Sequence, residues 1–377
     1  METRKFKGTN SDISLLGLGC MRLPKVDPEK PNIDFEKAQE IVDYAYSHGI
    51  NYYDTAYMYH EGESESFIGQ ALKKYPRESF NLTTKLPIWF AKTKEDVEKI
   101  FNEQLKKCQV DYFDFYLMHA MNKERLPLYK EWAYDFLLKM KAEGKIKHLG
   151  FSFHDKPEVL DKACQTFTEA EVVQIQLNYL DWEMQDAKQQ YEIIERYGKQ
   201  CIIMEPVRGG ALANPCEAAN KLFKEAQPDK SIASWAIRYA ASLPNVLVVL
   251  SGMSNLEQIV DNVNTISDFK PLTNQEYEII NKAVEAYKMK DTVPCTGCRY
   301  CMDCPFGVDI PKVFSIYNKY AVSKDKEAYR KAYEALAVGE KADKCHSCGA
   351  CMKKCPQHIQ IPDKMKMIKE LNEKLFK

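Results

Sequence analysis

Eight short β-branched or aromatic runs alternate with amphipathic helical stretches between residue 13 and about residue 265, and this alternation restricts the available folds more than any other feature of the chain. The runs are ISLLGLGCM, INYYDTA, FNLTTKLP, FDFYLMHA, IKHLGFSF, VVQIQLNYL, CIIMEPV and VLVVLSGM. A strand followed each time by a helix pairs in parallel with the next, because the helix carries the chain back to the starting edge. The helical stretches bear their own punctuation. In DFEKAQEIVDYAYSHG, Asp34 is a natural N-cap and Gly49 a natural stop; KEDVEKIFNEQLKKCQ repeats its apolar positions every three or four residues. Eight such units in about 250 residues predict a closed (β/α)8 barrel. An open doubly wound sheet would show a G-x-G-x-x-G turn after its first strand, and GLGCMRLP is not that turn.

After one more helical stretch, at 274–290, the composition changes. CTGCRYCMDCPFGVDIP at 295–311 and KCHSCGACMKKCPQHIQIP at 344–362 concentrate eight of the 13 cysteines. Both contain C-P-x-x-[V/I]-x-I-P, so the segment is duplicated and predicts a pseudo-symmetric pair of sites. The boundary falls near Asp291, dividing the chain into a barrel domain at 1–290 and a small domain at 291–377.

Charge and hydropathy exclude several classes. With 53 Lys+Arg against 54 Asp+Glu the formal net charge is −1, which offers no footprint for nucleic acid or an acidic membrane face. The amino terminus is not patterned as a signal peptide, and no segment approaches the ~20 apolar residues of a membrane span. The expectation is a cytoplasmic protein. In a reducing compartment, tightly clustered cysteines hold metal rather than disulfides. Cys20, Cys108, Cys164, Cys201 and Cys216 stand apart and read as small buried apolar residues.

Chemistry in such a barrel collects at the carboxyl ends of the strands. Asp54 ends the second run, with Tyr59 five residues later; Lys85 ends the third and His119 the fourth. A phenol of pKa about 10 is a poor proton donor at neutral pH, and a nearby ammonium from Lys85 would lower that value while Asp54 holds the lysine charged. Tyr59 could then protonate a substrate oxygen that His119 orients by a hydrogen bond. Singly, each has a plain structural reading: Asp54 caps a loop, Lys85 pairs with any carboxylate, His119 is a satisfied core histidine, and Tyr59 is one of 22 tyrosines. Their order on successive strand ends is what carries the chemical reading.

The GLGCMRLP opening, the D-x4-Y element, the strand-end Lys85 and His119, GFS at 150–152 and Gln174 in VVQIQLN resemble the aldo-keto reductase family over roughly residues 5–270. The resemblance implies reduction of a small-molecule carbonyl, or oxidation of the alcohol, with NADP or NAD extended over the barrel mouth. It implies Ser152 and Gln174 near the carboxamide, and Ser254, Gln258 and Asn262 of SGMSNLEQIVDN near the adenosine. Met204 stands where many members stack a tyrosine, and Phe153 where an asparagine often follows the serine. Asn255 replaces the basic residue that often meets a 2′-phosphate, which leaves NADP against NAD open. Arg208 with Gly209 and Gly210 would meet a diphosphate or form a plain turn.

Cys345, Cys348, Cys351 and Cys355-Pro356 follow C-x2-C-x2-C-x3-C-P, the spacing of bacterial ferredoxin clusters, while Cys295, Cys298, Cys301 and Cys304-Pro305 close one residue sooner. Three thiolates at this spacing hold one cubane and the fourth commonly ligates the other. The prediction is two [4Fe-4S] clusters, one on Cys295, Cys298, Cys301 and Cys355, the other on Cys345, Cys348, Cys351 and Cys304. Zinc is the competitor, although zinc ribbons set their two pairs well apart. His346 and His358 read as surface residues, and KMKMIKELNEKLFK as a terminal helix packed on the domain.

The whole pattern resembles the subgroup of aldo-keto reductases with an appended dicluster ferredoxin-like domain, found mainly in anaerobes. That implies electron relay with a ferredoxin or flavoprotein partner. Hydride transfer moves two electrons and a cluster one, so two other readings stay open. In one, a flavin or the clusters themselves drive reduction of a C=C or similar bond, with Tyr59 still the proton donor; Met204 and Phe153 motivate it. In the other, the clusters are structural or redox-sensing.

Overall fold

The structure is a computed structural model that describes all residues except 10, 28, 29, 31, 289–291 and 377. The expected boundary at Asp291 lies outside the described residues. The chain divides into two compact units: Met1–Val207 with Ala233–Asn274, and Arg208–Ile232 with Gln275–Lys377.

The first unit opens with an antiparallel hairpin, β1 (Thr3–Lys5) and β2 (Asp12–Ser14), which the alternating pattern does not mark. Its buried Phe6 packs edge-on against Phe115 at 5.4 Å and His148 at 4.5 Å, near the amino ends of two barrel strands. Those strands belong to a set of eight: β3 (Leu16–Gly19), β4 (Tyr52–Asp54), β5 (Asn81–Leu86), β6 (Phe113–Met121), β7 (Ile146–Phe153), β8 (Val172–Gln176), β9 (Gln200–Met204) and β10 (Val246–Ser251). They close in the order β10-β3-β4-β5-β6-β7-β8-β9 with every neighbour parallel, which is the predicted barrel. Continuous apolar runs become strands here because both faces are covered: all nine residues of β6 are buried. At Gly150 a Cβ would come within 2.5 Å of the Val172 carbonyl oxygen, so the approach of β7 to β8 requires glycine.

Helices follow the predicted stops and starts. Asp34 caps Phe35–Ser47 by accepting from the Lys37 N–H, and Thr93 with Asp96 forms a capping box at Lys94–Cys108. The register sets Asp54 beside Gly19 and Thr83, Lys85 beside Leu117, and Ser152 beside Gln174, all toward the carboxyl ends. Cys20, Cys108, Cys164, Cys201 and Cys216 are all buried, as expected of apolar thiols.

The second unit holds no strand among the described residues. Its core is Val313, Phe314, Tyr329, Tyr333, Met365 and Ile368, contributed by helices Ile310–Ser323, Lys326–Glu334 and Ile361–Leu375. The sequence repeat is also a structural one. After each C-P element a helix begins at an isoleucine with proline in its first turn, where the missing N–H costs nothing. The second and fourth residues after the first cysteine of each run take positive φ: Gly297 at 69° and Arg299 at 63°, Ser347 at 54° and Gly349 at 74°. The loop before the first run is pinned by Asn318, which donates to the Val293 carbonyl at 2.8 Å and accepts its N–H at 2.7 Å.

Candidate functional site

At the barrel mouth Asp54, Lys85 and His119, near three strand ends, converge with Tyr59 of the segment after β4. The Lys85 ammonium donates to Asp54 Oδ1 at 2.5 Å, to the Thr55 carbonyl at 2.8 Å and to Tyr59 Oη at 3.3 Å. Asp54 Oδ2 accepts from Gln174 Nε2 at 3.0 Å. Lys85 is 1 % exposed and Asp54 4 %. Burial raises the Asp54 carboxyl, and Lys85 and Gln174 oppose that rise. The His119 ring faces Tyr59 edge-on, 6.2 Å between centroids. Burial, followed by the fields of Lys85, His154 and Arg125, holds His119 well below the usual imidazole range, so the ring is neutral at physiological pH. The arrangement places an ammonium against a phenol beside a neutral imidazole, a set able to move one proton and steady one oxygen.

The end of β5 that carries Lys85 is held by a further layer. Gln104 Nε2 donates to the Lys85 carbonyl at 3.0 Å and to buried Glu65 at 2.6 Å, Thr84 donates to the same Glu65 oxygen at 2.6 Å, and Tyr116 donates to Gln104 Oε1 at 2.5 Å. These residues fix the end of β5, and nothing in the spacing of the sequence points to them. Trp89 and Arg125 are a second omission. Trp89 lies 5.2 Å from the His119 ring, and the Arg125 guanidinium sits 4.4 Å from Trp89 while donating to the Ala120 carbonyl at 2.8 Å. The available signal was a tryptophan four residues beyond Lys85, on the loop that leaves a strand end.

The residues expected at a dinucleotide are spread. Ser152 Oγ accepts the Ala120 N–H at 2.7 Å, which sets the turn after His119. Met204 is half-buried at the end of β9 and its carbonyl accepts the Leu177 N–H at 3.2 Å. The next residue, Glu205, pairs with Arg22 at 2.8 Å, and the Arg22 carbonyl accepts from Ser254 Oγ at 2.7 Å, so loops after three strands are tied together. Gln258 accepts the Ser254 N–H at 2.8 Å; Asn262 is buried and donates to Ser251 at 2.9 Å. Asn255 caps helix Leu256–Ser267, so its side chain is committed to the backbone. Arg208 and Gly209 belong to the second unit, where a Cβ on Gly209 would run into the Thr296 carbonyl.

In the second unit the eight cysteines surround two cavities. Cys295, Cys298, Cys301 and Cys355 line one of about 300 Å³. Cys304, Cys345, Cys348 and Cys351 line one of about 450 Å³, with Cys301 bordering both. The sulfurs ring these spaces instead of meeting at one point, and among the described residues no three His, Cys, Asp or Glu gather at single-ion spacing. Gly297 N–H donates to Cys295 Sγ at 3.4 Å, a backbone donor of the kind that supports a thiolate. Positive φ at matching positions of both runs bends the chain around each cavity. The donor set, the two-fold repeat and the cavities fit a pair of polynuclear iron–sulfur groups. His346 and His358 are exposed.

Comparison with known proteins agrees with both halves. The aldo/keto reductase family matches residues 15–285, and the 4Fe-4S dicluster domain matches 294–359. An uncharacterized oxidoreductase of Bacillus subtilis, YqkF, is 24% identical over 77% of this chain and 98% of its own. The NADH-specific methylglyoxal reductase of Escherichia coli is 24% identical over 69% of this chain and 91% of its own. Among solved structures, the holo form of aldo-keto reductase AKR11C1 from Bacillus halodurans superposes with a TM-score of 0.62 at 26% identity, covering 75% of this chain and 96% of that one. An eight-stranded parallel barrel with its polar strand ends, matched by the family over most of its length and followed by a dicluster domain, settles the assignment: the chain belongs to the aldo/keto reductase family and is an oxidoreductase with a 4Fe-4S dicluster domain.

Proposed function

We propose that the chain interconverts a small carbonyl compound and its alcohol with NADH or NADPH at the barrel mouth. The observation that carries this is the Lys85 ammonium set between Asp54 at 2.5 Å and Tyr59 Oη at 3.3 Å. An adjacent cation stabilises phenolate, so Tyr59 releases its proton to a substrate oxygen more readily than free tyrosine. Neutral His119 donates a hydrogen bond to that oxygen and orients it. Trp89 and Arg125 wall the approach to His119.

Ser152 and Gln174 suit a carboxamide. Ser152 accepts from Ala120 and keeps its own proton to donate; Gln174 spends its amide N–H on Asp54 and keeps its carbonyl to accept. One donor and one acceptor are what a carboxamide pairs with. Bound there, a reduced nicotinamide supplies hydride to the carbonyl carbon. The similarity to an NADH-specific methylglyoxal reductase supports the same cofactor class and an aldehyde or ketone substrate.

In the second unit, Cys295, Cys298, Cys301 and Cys355 hold one [4Fe-4S] cluster, and Cys304, Cys345, Cys348 and Cys351 the other. Bound there, the clusters supply one-electron transfer with a ferredoxin or flavoprotein. The cytoplasm is the compartment in which open thiols of this kind persist.

Tyr59→Phe is the test, with methylglyoxal as first probe. It lowers kcat about a thousandfold, within the span of general acid catalysis, while quenching of NAD(P)H fluorescence on binding is retained. Full turnover by Tyr59→Phe, or flavin released on denaturing protein that does not bind NAD(P)H, would overturn the reading.

A further inference from the structure

The two cysteine cavities meet solvent differently. In the smaller, the cysteines that line it alone, Cys295, Cys298 and Cys355, are half-buried, and Phe314 and Ile359 wall the space. The larger has Cys348, the one cysteine of the described residues classed as exposed, on its lining. Phe306 covers that opening while remaining 40 % exposed, its ring stacked on His346 at 4.1 Å and 30°. Met352, 36 % exposed, lies close to Gly349 of the same rim. Large apolar side chains left in water beside a cavity mark contact surfaces; Val338, 71 % exposed, is left in water in this unit as well but lines neither cavity.

Charge around the window is mostly basic; Asp303, on the same lining, pairs with Lys354 at 3.4 Å. Lys353 and Lys354 follow Met352 directly and are exposed, and Lys344 precedes the second run. Residues 341–377 carry nine lysines against four acidic residues, in a chain whose formal net charge is −1. The basic character is therefore local to this end of the chain, and an acidic partner is the one it attracts.

We infer that the Phe306–His346 window with its lysine rim is the docking surface of a small acidic one-electron carrier protein, held over the cavity of Cys304, Cys345, Cys348 and Cys351. The inference rests on the reading that these cysteines hold a cluster. An apolar centre with a charged rim suits a brief, salt-sensitive complex, as turnover of a carrier requires. One electron leaves the carrier and one is taken up at the centre beneath Phe306; no bond or proton changes place.

Full-length protein purified without oxygen is titrated calorimetrically with an acidic bacterial two-cluster ferredoxin, both partners oxidised, so that binding is read without turnover. The dissociation constant is expected to weaken about tenfold or more between about 50 and about 500 mM salt. Lys353→Glu/Lys354→Glu weakens it about tenfold and Phe306→Ser severalfold; Lys326→Glu/Lys331→Glu, the same charge change on helix Lys326–Glu334, leaves it unchanged. Equal binding by all variants, or none by the wild type, overturns the proposal. So does self-association, or retention on phosphatidylglycerol vesicles, that disappears in Lys353→Glu/Lys354→Glu, because then a second copy or a membrane occupies the window. Iron content separates the two levels: about eight irons per chain without ferredoxin binding defeats the docking surface alone, whereas protein that never holds iron defeats the cluster reading.

Discussion

The barrel mouth and the cysteine cavities place reactive side chains by opposite means. Lys85 is positioned by three hydrogen bonds, by strand register and by Gln104 behind it. The cysteines stand on loops without strands, bent by positive-φ residues and supported by a small helical core. One site is organised by the fold; the other, a small unit with eight thiols facing cavities, would draw much of its stability from the metal it holds. The largest expected effect follows from that contrast. Removing iron with a chelator under argon withdraws stabilisation on the order of 10 kcal/mol from the second unit alone. Limited proteolysis read by mass spectrometry then cuts within 292–360, while peptides of the barrel strands persist. Unchanged cleavage would erase the contrast.

A smaller effect breaks the mouth without the metal. Lys85→Met leaves Asp54, 4 % exposed, as an unpaired buried charge. The cost is about 3–5 kcal/mol in denaturant unfolding. Asp54→Asn/Lys85→Met recovers most of that stability and none of the carbonyl reduction, since the pair is dispensable to folding and the ammonium beside Tyr59 is not dispensable to proton release. Recovery of turnover by the double variant would show that the ion pair serves the fold only.

The contrast also explains what the sequence made legible. All eight barrel strands could be read because strands buried on both faces are written as short β-branched or aromatic runs between helical stretches, and Asp54, Lys85 and His119 stand near where those runs end. The grouping of the cysteines around the cavities, with Cys355 beside the first run and Cys304 beside the second, matches the crossing that ferredoxin-type runs commonly make. Hairpin β1–β2 has three residues in each strand, too few to display a period. Trp89 and Arg125 lie in short helical turns after β5 and β6, Ile88–Phe90 and Arg125–Leu128, whose course is set by tertiary contacts. Arg208–Ile232 groups with the cysteine unit through contacts between residues far apart in sequence, Gly209 with Thr296 and Gln227 with Glu276 at 2.7 Å, that no local pattern encodes.

The pH dependence sharpens the comparison more finely. His119 in the folded chain titrates well below about 6.5, the unfolded value, because of burial first and the neighbouring cations second. As pH falls below about 6.5 the unfolded chain takes up a proton that the folded chain refuses, so stability declines by about 1.4 kcal/mol per pH unit from this group. His119→Gln removes that share of the acid sensitivity. Unfolding midpoints of the barrel measured from pH 7.5 to about 5.5 should therefore fall less steeply in the variant; parallel slopes would mean that the buried ring does not govern the acid limb.

Glu65 provides the smallest effect and tests whether the support behind Lys85 depends on charge or on shape. Its Oε1 accepts from Thr84 and Gln104, while Oε2 is buried without a partner. Burial lifts the folded carboxyl above its unfolded value. Above the unfolded value of about 4.3 the unfolded chain ionises freely and the folded one does so at a cost, so this group lowers stability as pH rises toward and through its folded value. Glu65→Gln keeps an acceptor for Thr84 and Gln104 and removes the charge. It should stabilise the protein at pH 8, with the gain vanishing near pH 4, and leave kcat within about twofold. Loss of kcat with stability intact would instead mean that the Glu65 charge reaches Lys85 through Gln104, making the layer behind the ammonium part of its electrostatics and not only of its placement.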